Sequence, residues 1–476
     1  MLDGNSSLNP REPSMFAIRR PFLFALALVL AAAPAGAKTV ASAKTDKAAH
    51  ALAVPFIADD YETALKTARE RNVPIFMDAW ATWCHTCRSM KSFVLTDPSL
   101  APRSGEFVWF MMDVENPKNA ALKDKFPTNA LPTFYVVDPK DESIARRWVG
   151  GMTIAQLQGF LDDGTTAVKG GETGNGKLAE ADALYGKADY KAAGDAYLAA
   201  WPSLKPADPQ YARVAEATLF ALSTTDRNAD VIALAEQAEP TLANTTSGAS
   251  MAVSALGAAL ALPADAPNRA ETIAKYEAKT RAYLARTDIA LADDDRSGMH
   301  GTLMDARTDA KDEAGAKAAA QDWANFLEGA AARAKTPEAR AVFDSHRLYA
   351  YMQLGTPEKA VPMLLESEKA LPNDYNPPAR LAAAYVAMKQ WDDALAASAR
   401  ALKLGYGPRM LRTYQVRADA FAGKGDTAAA RKTMDEAIAY GKALPTPASE
   451  ATVAALAKKR DGFVAEQPTA NSGTSK

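Results

Sequence analysis

The spacing of apolar residues changes along the chain and divides it into two parts. Between about residues 61 and 163, helical spacing alternates with short continuous apolar runs that are typical of buried strands. Because helices alternate with strands and the last two strands are separated only by a turn, we expect a central mixed sheet covered by helices. The runs predict strands at 73–80, 107–114, 133–137 and 143–149, with helices at 61–71, 84–95, 119–126 and 153–161.

Beyond residue 163 no convincing strand pattern remains. Residues 164–176 contain Gly and Thr and few apolar side chains, which predicts a flexible linker. Helical spacing continues over 177–460, and the polar residues 461–476 predict a disordered tail. The expected fold class is therefore an α/β domain followed by an all-α domain.

The helical part contains a repeat. Ala360, Ala394 and Ala429 occupy the same place in similar segments, at spacings of 34 and 35 residues, and an earlier copy covers 186–193. Each segment predicts a short turn between two amphipathic helices, with a small residue where the helices approach closely. The pattern resembles the tetratricopeptide repeat, which implies an array of helix pairs that binds a peptide or protein. Between 204 and 343 the composition is helical but the repeats are degenerate.

The N-terminal region has the pattern of an export signal. An apolar run at 22–33 follows Arg19 and Arg20 and precedes small residues at Ala35 and Ala37. A basic start, a short apolar run and small residues at alternate positions predict a secretory signal peptide that is cleaved after Ala37. The run is shorter than the roughly 20 residues of a spanning helix, so a retained anchor is the weaker alternative.

This signal predicts a periplasmic or secreted mature protein. The signal covers 1–37, with Met15 as an alternative start, and 38–55 would link it to the first domain. The arginine pair also resembles a twin-arginine signal, so the sequence leaves open which export route is used.

Length and charge limit the function classes. A chain of 476 residues is too long for one hydrophobic core, which agrees with two domains. The formal net charge of −2 provides no long-range attraction for nucleic acid, and no nucleic-acid partner is expected.

The chain has two cysteines, Cys84 and Cys87. A disulfide that closes so short a loop removes little entropy from the unfolded chain and contributes little to stability. The pair is therefore expected to react. Because Cys84 lies where a helix should begin, the free N–H groups and the helix dipole favour its thiolate, whereas Cys87 lies about one turn further on.

The surroundings of this pair resemble the thioredoxin family. Residues 78–87 follow a strand and open a helix, and Leu131, Pro132 and Thr133 precede a later strand. The resemblance is to the periplasmic thiol:disulfide interchange branch, which includes the C-terminal domain of the transmembrane thiol reductase. It implies a thioredoxin-like domain over residues 56–163.

The resemblance also implies roles for single residues. Cys84 would be the nucleophile and Cys87 the resolving thiol of a redox-active disulfide. Asp78 would be the buried acid that assists deprotonation of Cys87. Pro132 would form a cis-proline loop facing the cysteines. Trp83, Leu131 and Thr133 would flank the substrate.

Two positions depart from the family pattern. His85-Thr86 separates the cysteines instead of Gly-Pro, so no redox potential can be transferred. Phe110 stands where a lysine often neighbours the buried acid. Without that partner, desolvation should raise the pKa of Asp78.

Metal and cofactor binding are not expected. Zinc needs about four ligands, and the chain has no second Cys or His pair. Covalent haem attachment would need His at position 88, which is Arg88. The acidic run 293–295 predicts a solvated loop, with a cation site as the alternative, and His300 and His346 are interpreted as structural.

Two functional hypotheses follow. In the first, the protein is a thiol:disulfide oxidoreductase that acts on protein disulfides, exchanges electrons with an upstream thiol donor or acceptor, and uses its repeats to recruit a client or partner. In the second, the repeats form a binding scaffold and the redox pair acts as a sensor or accessory.

Overall fold

The computed structural model describes residues 52–170 and 176–463 of the chain. The predicted signal peptide, most of 38–55 and residues 171–175 and 464–476 lie outside the described residues. The described part has the expected class, a mixed α/β domain followed by helices.

The first domain is built on a mixed sheet of order β1-β3-β2-β4-β5. β2 pairs in parallel with β3 and antiparallel with β4, and β4 pairs antiparallel with β5, so the predicted hairpin is confirmed. The edge strand β1 was not predicted, because three residues are too few to show a period. The strands are β1 (Phe56–Ala58), β2 (Ile75–Trp80), β3 (Val108–Asp113), β4 (Thr133–Val137) and β5 (Ile144–Val149).

Alternate residues of the central strands face opposite helical layers. Phe76 belongs to the core that contains the helix at 154–168, whereas Ile75 and Met77 belong to the core that contains the helix at 61–71. The helices of this domain are α1 (Tyr61–Arg71), α2 (His85–Ser89), which continues as a π-helical turn (Met90–Val94), α3 (Leu122–Lys125) and α4 (Ile154–Val168), with 3₁₀ turns at Pro98–Gly105 and Pro117–Asn119.

Helix α4 is longer than predicted. It begins with a capping box between Thr153 and Gln156 and continues to Val168, through the first residues of the predicted linker. The glycine that suggested a linker, Gly164, lies where α4 crosses β4. A Cβ built on it would come within 2.4 Å of Val136 Cγ2. Gly164 therefore permits close helix–sheet packing rather than chain flexibility.

The second domain is helical throughout its described length. Successive helices pack as antiparallel neighbours joined by short turns. Its last helix extends two residues into the predicted tail. The α-helices are α5 (Gly176–Gly186), α6 (Tyr190–Ala200), α7 (Tyr211–Thr224), α8 (Asn228–Leu242), α9 (Thr246–Ala261), α10 (Arg269–Ala285), α11 (Asp293–Asp309), α12 (Glu313–Arg333), α13 (Pro337–Ala341), α14 (Asp344–Gln353), α15 (Ala360–Ala370), α16 (Asn376–Ala387), α17 (Trp391–Leu404), α18 (Met410–Gly423), α19 (Thr427–Lys442) and α20 (Glu450–Gly462), with 3₁₀ turns at Trp201–Ser203 and Pro357–Lys359.

The repeat register is set by a left-handed residue in each inter-helix turn. Gly355, Lys389 and Gly425 have positive φ, and the residue five positions later is fully buried in each case. This places Ala430, rather than the predicted Ala429, in register with Ala394. The same relation, with residues at most 1% exposed, links Ala188 to Ala193 and Asp226 to Val231, so one copy lies inside the region that appeared degenerate.

The two domains are in extensive contact. Arg147 of β5 donates a hydrogen bond to the Tyr185 carbonyl of α5 at 3.0 Å. Val149 packs against the hydrophobic core of the helical domain. A flexible linker would predict few contacts between the domains, and the structure differs because β5 pairs with the sheet along one edge and packs side chains against the helices.

Candidate redox site at the domain interface

Cys84 and Cys87 form a disulfide at the beginning of α2. Cys84 is the N-cap residue of that helix, and its Sγ accepts a hydrogen bond from the Cys87 backbone N–H at 3.1 Å. An N-cap position directs unpaired backbone N–H groups toward the sulfur, and they would stabilise a thiolate there. Cys84, at the start of the helix, is 5% exposed, whereas Cys87, one turn further on, is fully buried. Cys84 is therefore the more accessible of the two sulfurs.

The loop before β4 adjoins the disulfide. The Leu131–Pro132 peptide bond is cis, as predicted. Leu131 packs against the small cluster that contains both cysteines, and so does Trp83. Thr133 is buried as the first residue of β4, and its hydroxyl donates to the Ala130 carbonyl at 2.7 Å. The structure thus brings Leu131 and Trp83 to the disulfide, whereas the Thr133 side chain is used within its own loop.

Asp78 lies in the middle of the sheet and is 1% exposed. Both carboxylate oxygens lack a hydrogen-bond partner among the described residues. Its neighbours in register are Met111 and Phe134, so position 110 is not the facing position that the sequence suggested. Desolvation raises the pKa of Asp78 to about 7, as the sequence predicted in direction.

A lysine is present near Asp78, but it comes from the helix that follows the cysteines. The positive charge of Lys91 opposes the desolvation of Asp78 and lowers its pKa in part. Burial in turn lowers the pKa of Lys91. The Lys91 ammonium lies 3.4 Å from the centroid of the Trp80 ring, a cation–π contact. Lys91 was not identified from the sequence, because the family pattern places the lysine on the neighbouring strand, at position 110.

Trp83 connects the disulfide to the helical domain. Its indole N–H donates to Glu115 at 2.8 Å, and the Arg409 guanidinium lies 5.0 Å from its ring centroid. Burial raises the pKa of Glu115 to about 7, although the Trp83 hydrogen bond opposes this. Close by, the Tyr406 hydroxyl donates to the carboxylate of Asp113.

Residues before, between and after the two cysteines also contact the helical domain. Asn376 donates to the Thr82 carbonyl at 3.2 Å. His85 Nδ1 lies 2.7 Å from Asp294 Oδ1, and the Thr86 hydroxyl donates to Asp294 Oδ2 at 2.8 Å. Arg88 donates to Asp374 at 2.6 Å. The redox motif is therefore part of the domain interface.

Asp294 corrects the interpretation of the acidic run 293–295. The run begins α11 instead of forming a solvated loop, and Asp294 is 6% exposed. Burial would raise the pKa of Asp294, but the interactions with His85, His346 and the Thr86 hydroxyl outweigh burial and lower the pKa to about 2. No local pattern could have joined Asp294 to a motif about two hundred residues earlier.

The first domain matches a known family. Residues 61–165 match the family model of the thioredoxin-like domain, which confirms the predicted resemblance for this part of the chain. Among curated relatives, the chain is 29% identical over 99 residues to the thiol:disulfide interchange protein DsbD 1 of Pseudomonas aeruginosa, covering 20% of this chain and 17% of that protein. It is 33% identical over 76 residues to a thioredoxin H-type of Brassica oleracea, covering 16% of this chain and 58% of that protein.

The curated relatives named above match at most a fifth of this chain. The chain spans about a sixth of the length of the interchange proteins that it matches. A tetratricopeptide repeat protein from Parabacteroides merdae superimposes with a TM-score of 0.39 and 11% identity, covering 60% of this chain and 97% of that one. Within the described residues, no helix combines the length and apolar character needed to cross a membrane.

Proposed function

We propose that this protein is an exported thiol:disulfide oxidoreductase that acts on protein disulfides through Cys84 and Cys87. The observation that carries the proposal is the disulfide at the N-terminus of α2, which packs against Leu131 of the cis-proline loop. A buried acid, Asp78, lies in the strand that precedes the cysteines. The relatives named for thiol:disulfide interchange share this domain. No bound cofactor or metal is needed for this exchange, since the dithiol form of the pair donates two electrons and the disulfide form accepts two.

In the reducing direction, the Cys84 thiolate attacks one sulfur of a client disulfide. A mixed disulfide forms, and the other client sulfur leaves as a thiolate. The Cys87 thiol then loses its proton to Asp78 and attacks Cys84, which releases the second client sulfur as a thiolate and forms the Cys84–Cys87 disulfide. The client gains two electrons and the pair loses two. An upstream thiol donor would restore the pair, and the same steps in reverse would oxidise a client.

The burial of Cys84 adds a step to this cycle. A client sulfur can reach Cys84 only when the contacts of Thr82, His85 and Arg88 with the helical domain separate. We propose that the helical repeats bind the client or a redox partner, and that this binding accompanies the opening. Linked modules raise the effective concentration of a bound client near the cysteines.

Catalysis of insulin disulfide reduction by dithiothreitol tests the proposal. The full mature chain should accelerate the reaction, whereas the Cys84→Ser variant should not. A wild-type rate equal to that of Cys84→Ser would contradict an oxidoreductase function.

The second candidate function is a scaffold whose redox pair acts as a sensor. The contacts of Thr82 and Arg88 with the helical domain favour it, because a change at the cysteines would alter the same interface. A partner whose affinity for the chain changes several-fold between the oxidised and reduced forms, without insulin reduction, would support this candidate.

Export remains part of the proposal and rests on the sequence at 1–37. N-terminal sequencing of protein recovered from the periplasm or medium should give a start at Lys38. A mature protein that begins at Met1 or Met15 would contradict cleavage.

A further inference from the structure

Three potential metal ligands from distant parts of the chain meet beside the redox motif. His85 is the first residue of α2, Asp294 lies in the first turn of α11, and His346 lies in α14. One ligand atom from each residue lies within 4.8 Å of the others. The His85 and His346 ring centroids are 4.1 Å apart, and His85 Nδ1 contacts Asp294 Oδ1 at 2.7 Å.

His346 has the surroundings of an oriented ligand. It has no exposed surface, and its Nδ1 lies 2.7 Å from Ser297 Oγ. The Trp323 indole N–H donates to the same oxygen at 2.7 Å, which holds the serine in place. A second hydrogen bond of this kind fixes the ring and tautomer of a metal-binding histidine.

The other nitrogen of His346 is not satisfied. Nε2 is buried and has no hydrogen-bond partner within the described part of the chain. A buried polar atom without a partner is unfavourable, so such atoms are rare and call for an explanation. If Nδ1 donates its proton to Ser297, Nε2 keeps a lone pair that can bind a metal.

We propose that His85, Asp294 and His346 bind a divalent transition metal, with Zn²⁺ as the best match. Two imidazoles and one carboxylate are a common protein ligand set for zinc, with a fourth position left for water or an external ligand. Zn–N bonds of about 2.0–2.1 Å place ligand atoms of a tetrahedral ion about 3.3–3.5 Å apart. Binding would therefore draw the outermost pair together by up to about 1.5 Å. This inference departs from the sequence prediction that no metal is bound.

The proposed site would join the two domains. His85 belongs to the thioredoxin-like domain and lies between the cysteines, whereas Asp294 and His346 belong to the helical domain. A metal held by all three would fasten the start of α2 to α11 and α14. Because the metal would bind only the closed arrangement, it should stabilise the contact between the domains.

The test is a Zn²⁺ titration of the full mature chain in its disulfide form, after chelator treatment. Keeping both cysteines in the disulfide prevents their thiolates from binding the metal. Isothermal titration calorimetry should give one Zn²⁺ per chain with a Kd of about 1 µM or lower. Co²⁺ should give the visible absorption of a tetrahedral centre with nitrogen and oxygen ligands.

Variants identify the ligands. His346→Asn and His85→Asn should each weaken Zn²⁺ binding at least about tenfold and abolish the Co²⁺ spectrum. His300→Asn is the matched control: His300 also lies in α11, but its ring packs against Phe326, and it should leave binding unchanged. If circular dichroism shows that His346→Asn does not fold, the Zn²⁺ affinity of His85→Asn tests the proposal, because the His85 side chain is less buried. Absence of stoichiometric binding to the wild type, or unchanged affinity in His85→Asn, would overturn the proposal.

Discussion

The guanidinium of Arg88 lies 2.6 Å from the carboxylate of Asp374, in an ion pair that joins the residue after Cys87 to the helical domain. The two side chains are only 12% and 15% exposed, so solvent screens the pair weakly. Asp374 also accepts hydrogen bonds from the backbone and side chain of Asn376, whose side chain in turn reaches the Thr82 carbonyl. This pair therefore links the redox motif to the loop before α16.

Weakening this pair should make the disulfide easier to reduce. In Asp374→Asn the charge-assisted bond to Arg88 is lost, while an oxygen that can accept from Asn376 is retained. A loss of about 1–2 kcal/mol in interface stability corresponds to a roughly tenfold larger open population. We expect a roughly tenfold faster reduction of Cys84–Cys87 by dithiothreitol, measured by alkylation and mass spectrometry.

Asp392→Asn provides the control for this experiment. Asp392 pairs with Lys424 on the surface and is 80% exposed, so its loss should change neither stability nor the reduction rate appreciably. Equal reduction rates in wild type and Asp374→Asn would show that the disulfide is reached without separation of this contact.

Replacement of Asp78 should change how stability depends on pH. The pKa of Asp78 is about 7 in the folded chain and near 3.8 in the unfolded chain. Between these pH values the folded state keeps a proton on Asp78 that the unfolded state has lost. Stability from this group is therefore greatest below about pH 4 and falls as the pH rises to about 7. One pKa unit corresponds to about 1.4 kcal/mol, which gives up to about 4 kcal/mol over this range.

Asp78→Asn cannot ionise and should lose this decline. Urea unfolding at a series of pH values should show the variant gaining stability relative to wild type as the pH rises from about 4 to about 7. A constant difference between the two proteins across that range would mean that Asp78 is ionised throughout and that Lys91 satisfies its charge.

The two cysteines should have different roles. Cys87→Ser leaves the Cys84 thiol at the helix N-terminus without a resolving partner, so mixed disulfides with clients should accumulate on Cys84. Cys84→Ser should abolish both exchange and trapping. Mass spectrometry of trapped species gives the linked residue, and clients attached mainly to Cys87 in the Cys84→Ser variant would reverse the assignment.

Alanine substitutions at two glycines of α4 distinguish the effect of close packing on stability from the effect of helix propensity. Gly164→Ala should destabilise the protein by about 1–3 kcal/mol, because the new methyl group would overlap Val136. Gly159→Ala in the same helix meets nothing within 4 Å and should instead stabilise it by about 0.5–1 kcal/mol. Thermal unfolding of both variants tests this, and equal effects would mean that Gly164 lies in a flexible segment.

Local signals explain which parts could be predicted from the sequence. The central strands and α1 follow from short-range periodicity, and the cis-proline was anticipated from the Leu131-Pro132-Thr133 motif. Strand β1 could not be predicted, because its three residues are too few to show a period. Gly164 was misinterpreted because glycine indicates either flexibility or close packing, and only the neighbouring strand distinguishes the two.

The sequence by itself determined the proposed redox site of this protein, because the two cysteines, their helix start and the buried acid all lie within ten residues of one another. Only the tertiary structure decided that this motif lies against the helical domain and is covered by it. The contacts of Asp294, His346 and Asp374 with the motif span more than two hundred residues, and no local pattern encodes them. Such contacts arise when helices that are distant in sequence bury apolar surface together. Their polar side chains are then placed beside the cysteine motif, although the two are far apart along the chain.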